Sequence, residues 1–213
     1  RPLSNVTANF TLNPDFAHIE ADPEQINLSR QELYLPEKRP FFIEGLELLK
    51  LPIQIVYTRR MQEITGGAKV TGKFGGSNFV FLDAQTKDTE QNFSVLRLKQ
   101  DVLKTSALGL MAVNQQGDKE YSRALSVDSN FLLTKSTRFN TQFTKSWNAN
   151  KEGDDWAYQV DLSRWTDTFG FTLNYQDIAP QFKIEAGYVP IVDRRGATAY
   201  FEYNLFPRKY GIV

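Results

Sequence analysis

The sequence predicts an all-β chain. It reads as an up-and-down antiparallel membrane β-barrel, of which these residues form the N-terminal portion, with a plug-like segment inserted after the first strand. Three observations lead there. Apolar and polar residues alternate with period two over long stretches, the connections between those stretches alternate long and short, and residues 13–52 fit no strand template.

The first strand is expected at 5–12, where Val6, Ala8, Phe10 and Leu12 alternate with polar neighbours. Further strands are read at 53–59, 66–73, 78–85, 92–101, 106–114, 122–134, 137–147, 156–166, 168–177, 182–188 and 197–206. The clearest is 137–147: Phe139, Thr141, Phe143 and Trp147 share one face, and Arg138, Asn140, Gln142, Thr144 and Ser146 the other. Lys145 falls on the apolar side of that strand. Phe169, Phe171, Leu173 and Tyr175 alternate in the same way, as do Leu125, Val127, Phe131 and Leu133. In 78–85, 92–100 and 106–114 the alternation is weaker and does not set a register. Several strands reach ten residues, longer than the ~5–6 usual in globular proteins. That approaches the ~9–11 residues needed to cross a bilayer at a tilt.

The connections carry the second pattern. Arg60–Thr65, Thr86–Gln91, Gln115–Tyr121 and Asn148–Asp155 are long, whereas Phe74–Ser77, Val102–Thr105, Lys135–Ser136 and Asp167 are short. In a meander, odd and even connections lie at opposite ends, so this places short turns at one end and long loops at the other, as in outer-membrane barrels. The pattern fades after 177, where Ile178–Gln181 is too short for its slot and Val189–Gly196 too long. A soluble sandwich or lipocalin-like barrel also alternates. The loop asymmetry, the wet-lumen character of the polar face, and Trp147, Trp156 and Trp165 near strand ends favour the membrane.

Composition removes several functions. With no cysteine, disulfides, thiolate catalysis and Cys-ligated zinc are excluded, and the single histidine, His18, supplies no His–His metal pair. Lys plus Arg equals Asp plus Glu at 25 each, without the basic excess of a nucleic-acid binder. No apolar run is long enough for a transmembrane helix, although a negative mean hydropathy is compatible with half-apolar barrel strands. The chain begins at Arg1 without an initiator Met or targeting segment and ends on Tyr210–Val213, which reads as a mature or internal fragment.

The organisation expected is a first strand at 1–12, an inward-folded insertion at 13–52, and a barrel-wall meander at 53–213. Within the insertion, Asn13, Pro14, Asp15 and Phe16 are turn chemistry. Asp22 as N-cap, Pro23 at the first helical position and Gln25 predict a short helix through about Leu33. Next comes Pro36, Glu37, Lys38, Arg39, Pro40, Phe41, Phe42, Ile43, Glu44 and Gly45, with four charges and two prolines in ten residues.

Two motifs carry a family resemblance. NPDFAHIEADPEQINL at 13–28, followed by LPEKRPFFIEG at 35–45, resembles the opening of the barrel domain known as domain of unknown function 5916. Tyr57-Thr58-Arg59-Arg60, then Gly66-Gly67-Ala68-Lys69-Val70-Thr71-Gly72-Lys73, and Leu82-Asp83-Ala84-Gln85-Thr86 fit the segments that follow. The later chain matches only in general barrel character. The resemblance implies a Gram-negative, Bacteroidota-like outer-membrane protein embedded in outer-membrane lipid, with other envelope proteins as possible partners. It also implies a longer barrel and a preceding carbohydrate-binding family-9-like domain through which glycans would be met.

The charged residues are read as structural, with no cofactor, no metal and no enzyme activity. Asp15, Glu20, Asp22 and Glu24 lack the spacing of a calcium loop. Glu37 and Glu44 resemble a paired-carboxylate constellation, but the cations beside Glu37 should keep it ionised rather than poised as an acid. Glu37 and Arg39 are expected to pair with charged groups on the lumen wall, with Arg59, Arg60, Lys69 and Lys73 as the basic candidates, while Phe41, Phe42 and Ile43 wedge into an apolar patch. Gly66-Gly67 lacks P-loop spacing and is read as a place of tight turn or close backbone approach. Tyr158, Tyr175, Trp165 and Tyr203 are read as girdle or core rather than sugar-stacking surfaces.

Overall fold

The computed structural model describes residues 5–16, 32–87, 90–149 and 155–206. Ten strands follow one another in sequence and in space. They are β1 (Val6–Leu12), β2 (Ile64–Phe74), β3 (Ser77–Thr86), β4 (Asn92–Leu103), β5 (Ser106–Gln116), β6 (Tyr121–Thr134), β7 (Thr137–Asn148), β8 (Trp156–Trp165), β9 (Phe169–Ile178) and β10 (Arg194–Tyr203). Each pairs antiparallel with the next, giving one all-β up-and-down sheet with β1 and β10 as its edges.

The turns at 75–76, 104–105, 135–136 and 166–168 all fall at one end of this meander. The connections from β1 to β2, β3 to β4, β5 to β6, β7 to β8 and β9 to β10 all leave and rejoin the sheet at the other. The long–short alternation therefore runs through the whole sheet, including the region where the sequence pattern fades.

It faded because 182–188 is not a strand, and neither is 53–59. Both mimic one. Phe182, Ile184 and Ala186 are buried while Lys183 and Glu185 point outward, which is the strand period without a ladder. The two segments lie across one face of the sheet and meet at a single bridge, Gln54 with Tyr188. Tyr57 N–H donates to Ala186 O at 2.8 Å and Tyr188 N–H to Gln54 O at 2.8 Å. Side chains of the sheet satisfy other backbone groups of these segments, so no ladder is required.

Between β1 and β2 stand two single-turn helices, α1 (Pro40–Ile43) and α2 (Leu46–Leu49), and a 3-10 turn at Thr58–Arg60. The charged motif thus has regular structure that its composition conceals, with Pro40 opening α1 where its missing N–H costs nothing. Of the helix expected from Asp22 to Leu33, residues 22–31 lie outside the described residues, and Glu32 and Leu33 are not helical.

The two faces of the sheet differ in kind. The covered face carries Ser126, Gln142, Thr144 and Ser146, all at or below 1 % exposure, while Leu125, Val127, Phe143 and Trp147 on the opposite face are 39–52 % exposed. The polar side is inside and the apolar side bare. Under the inserted segment the covered face turns apolar: Val80, Leu82, Phe93, Val95, Met111 and Val113 meet Phe42, Leu49, Ile53, Ile55 and Met61 in one core. Strands β3 to β5 are therefore apolar on both sides, which is why their alternation is blurred in the sequence.

Candidate functional site

Arg39 is wholly buried and Glu37 nearly so, and they are each other's partner. Arg39 Nε reaches Glu37 Oε1 at 2.9 Å and a terminal nitrogen reaches Oε2 at 2.7 Å, a bidentate pair two residues apart in sequence. Two further guanidinium hydrogens go to Met61 O at 2.6 Å and Thr58 O at 2.7 Å. Thr58 Oγ1 donates to Glu37 Oε2 at 2.6 Å, and the Arg39 N–H to Oε1 at 2.8 Å. The guanidinium lies over the rings of Phe42 at 4.2 Å and Phe16 at 5.5 Å. Burial pushes the Glu37 carboxyl up, but hydrogen bonds from Arg39 and Thr58 and the Arg39 charge outweigh it and hold its pKa at about 2. The carboxylate is ionised and saturated with donors, so it is poorly suited to give or take a proton near neutrality.

This corrects the expectation that the pair reaches to the wall. Glu37 and Arg39 neutralise one another inside the inserted segment, and the sheet instead grips that segment by its backbone. Lys69 on β2 donates to Phe41 O and, at 2.7 Å, to Glu44 O. Arg97 on β4 donates to Leu48 O at 3.0 Å while paired with Asp128 on β6. Gln142 on β7 takes both backbone groups of Ile53. At the 179–193 segment, Asn148 donates to Lys183 O at 3.2 Å and Ser122 accepts from the Glu185 N–H at 3.1 Å.

The other motif residues take varied places. Asn13 adopts a left-handed φ of +42 and donates its N–H to Thr65 O at 2.7 Å, closing β1 as the Asn13–Pro14 turn chemistry requires. Asp15 is exposed and Phe16 packs against the core beneath Arg39. Pro36 O accepts from Arg59 at 2.9 Å, and Lys38 is half-buried. Glu44 accepts from Asn9 of β1, tying the motif to the first strand. Gly45 takes φ +76 between the two helices, with Thr71 so close that a Cβ would stand 2.9 Å from its methyl. Phe41 and Phe42 seat as expected, edge to face at 5.0 Å, whereas Ile43 is 48 % exposed and wedges into nothing. Arg60 pairs with Glu32, and Lys73 is exposed beside the β2–β3 turn, away from the motif. Glu20, Asp22, Pro23, His18 and Glu24 lie outside the described residues.

Gly66-Gly67 belongs to β2 rather than to a turn, and Gly67 serves close approach. A Cβ there would stand 2.9 Å from the ring of Phe41. Trp165 faces the covered side, stacked on Tyr200 at 5.9 Å. Trp156, Tyr158 and Tyr175 form a stacked row on the bare face.

Sequence reasoning missed three contributors. Tyr34, Tyr57 and Tyr188 form a cluster with centroids 5.2–5.3 Å apart that joins the inserted segment to 179–193. Gln142 gave no signal beyond its place on a polar face. Arg97 did: it stands in phase with Phe93 and Val95, and a cation among core positions announces a buried partner.

Fold and site together define a class: an up-and-down antiparallel all-β protein whose inserted segment is held against one face of the sheet by the sheet's side chains. Residues 4–74 match the family model described as domain of unknown function (DUF5916). They span β1, the inserted segment and β2, so the resemblance covers the segments that build the anchored motif. No curated protein matches the chain.

Proposed function

We propose that this chain is wall and lumen filler of an outer-membrane β-barrel that works as an occluded conduit or receptor-like scaffold in the envelope rather than as an open pore. One observation carries the reading: the bare face of the sheet is apolar, while on β6 and β7 the covered face is polar, the inverse of a water-soluble sheet. Phe81, Leu96, Leu98, Leu110, Leu125, Val127, Phe143, Leu173 and Phe201, from seven of the eight strands β3 to β10, form an exposed band 37–64 % accessible. A patch of that extent on a soluble monomer would invite aggregation. Toward the long-connection end the band gives way to polar contacts on the same face. Ser94 and Asn92 bond Asp83, Arg123 bonds Asn114, and Arg195 bonds Asp177. Trp147 and Trp156 stand at that border, where an aromatic girdle belongs. Strands of 10–14 residues from β2 to β10 are long enough to cross at a tilt.

Two edges facing lipid would leave backbone groups unsatisfied, so the reading requires β1 and β10 to be met by further strands, from the same polypeptide or a partner. No catalytic role is assigned. The test is folding into liposomes: the protein should insert, resist protease over β2 to β10, and migrate differently on a denaturing gel before and after heating. A monodisperse, detergent-free solution state would return it to a soluble all-β module, with carbohydrate binding as the alternative role.

A further inference from the structure

At the long-connection end, between the wall and segment 179–193, lies a cavity of about 690 Å³. Both cations in its lining are already matched, Arg60 with Glu32 and Lys183 with Glu185. Glu120, exposed on the lining, would repel an anion. Much of the remaining lining is carboxamide and hydroxyl, from Gln91, Gln115, Ser122, Asn148 and Gln181, with Phe182, Ile184, Val189 and Val192 among the apolar residues beside them. Gln115 donates its amide to Gln91 Oε1 at 3.0 Å, yet its own Oε1 is buried without a hydrogen-bond partner. It is the one such side-chain atom among the described residues. Buried acceptors are rarely left so, because desolvation without a donor is unfavourable. A donor arriving from within the cavity would remove the deficit.

We propose that this cavity binds a neutral, multiply hydroxylated molecule, a carbohydrate unit, with Gln115 Oε1 accepting one of its hydroxyl hydrogens. Hydroxyls both donate and accept, as carboxamides do, so each amide in the lining finds a use whichever way it is turned. The ring C–H surface of such a ligand meets the two valines. With both lining cations paired and Glu120 exposed beside them, nothing in the lining selects an anionic ligand. Cavity size falls in the ~300–1,000 Å³ range of small-molecule sites. The site lies on the covered side of the sheet and stands whether or not the bare face meets lipid.

The experiment is titration calorimetry of the full chain, folded in a detergent without a sugar headgroup, against maltose, cellobiose and lactose. Glucuronate serves as the anionic counterpart. Saturable binding of at least one neutral disaccharide is expected, with glucuronate at least tenfold weaker. Gln115→Met, which removes the orphan acceptor, should weaken binding about tenfold or more with no fall in unfolding temperature. Should that variant unfold, Val192→Trp decides, since it narrows the cavity from an exposed lining position and should abolish binding in a folded protein. Absence of saturable binding to all three, equal affinity for glucuronate, or unchanged affinity in whichever variant folds overturns the proposal.

Discussion

The carboxamide of Gln142 closes two hydrogen bonds on the backbone of Ile53, accepting from its N–H at 2.8 Å and donating to its carbonyl at 2.9 Å. Eighty-nine residues separate them, and Gln142 is held in place by Ser126 and Thr144 at 3.2 Å. A side chain on the wall here does what a neighbouring strand would do elsewhere. Gln142→Leu should therefore release the inserted segment locally. Each orphaned backbone group costs about 1–3 kcal/mol. Hydrogen exchange at the Ile53 amide should accelerate strongly, while amides of β6 and β7 stay protected; uniform loss of protection would sink the idea of a local clamp.

Arg39→Ala leaves the Glu37 carboxylate buried and unpaired. Removing one partner of a buried pair costs about 3–5 kcal/mol. The heat-induced unfolding temperature should fall markedly, and Arg39→Lys should recover only part of the loss because an ammonium cannot make the bidentate fork. An unchanged unfolding temperature with altered ligand binding would return the motif to a direct functional role.

The same pair predicts acid sensitivity. The folded pKa of Glu37 is about 2 against 4.5 for the ordinary carboxyl, so the folded state binds this proton less readily. Its contribution is fully present above about pH 4.5 and is lost as pH falls from there towards 2. Glu37→Gln should flatten stability across that window and lower it at pH 7. A pH profile identical to that of the unsubstituted protein would contradict the assignment.

Gly67→Ala places a methyl against the Phe41 ring. Overpacking of this kind costs about 1–3 kcal/mol. In a Phe41→Leu background the penalty should shrink, because the atoms that clash are gone. A double-mutant cycle on thermal stability checks this, and strict additivity would show that the two positions do not touch.

Leu110→Arg separates membrane from water. On a lipid-facing strand it should cost about 2–4 kcal/mol in liposome folding titrations. On an ordinary soluble surface the change would stay within about 0.5 kcal/mol. The smaller figure would count against the bilayer reading.

Period-two alternation placed ten of the twelve expected strands close to their observed positions because side-chain direction in a strand depends only on parity. It misassigned 53–59 and 182–188 for the same reason, since an extended segment packed against a sheet shows that parity whether or not it is laddered. Register in β3 to β5 was illegible because the inserted segment makes both of their faces apolar. The anchored motif was legible in its parts, as Arg39, Phe41, Phe42 and the glycines announce a special packing. Of its partners, Lys69 was expected as a basic group facing the motif, though for charged groups rather than main chain, and Arg97 carried a signal as a cation among core positions. Their main-chain targets and the role of Gln142 were not legible, because a backbone carbonyl or N–H leaves no trace in residue identity.

The sequence by itself determined an all-β meander with its long connections at one end and a charged motif after the first strand. These follow from local periodicity, turn chemistry and composition. Only the tertiary structure decided that Glu37 and Arg39 satisfy one another, that Gly67 exists for Phe41, and that the polar face is the covered one. Those are facts about distance between residues far apart in the chain, and the energies that settle them arise only once burial has removed water from both partners.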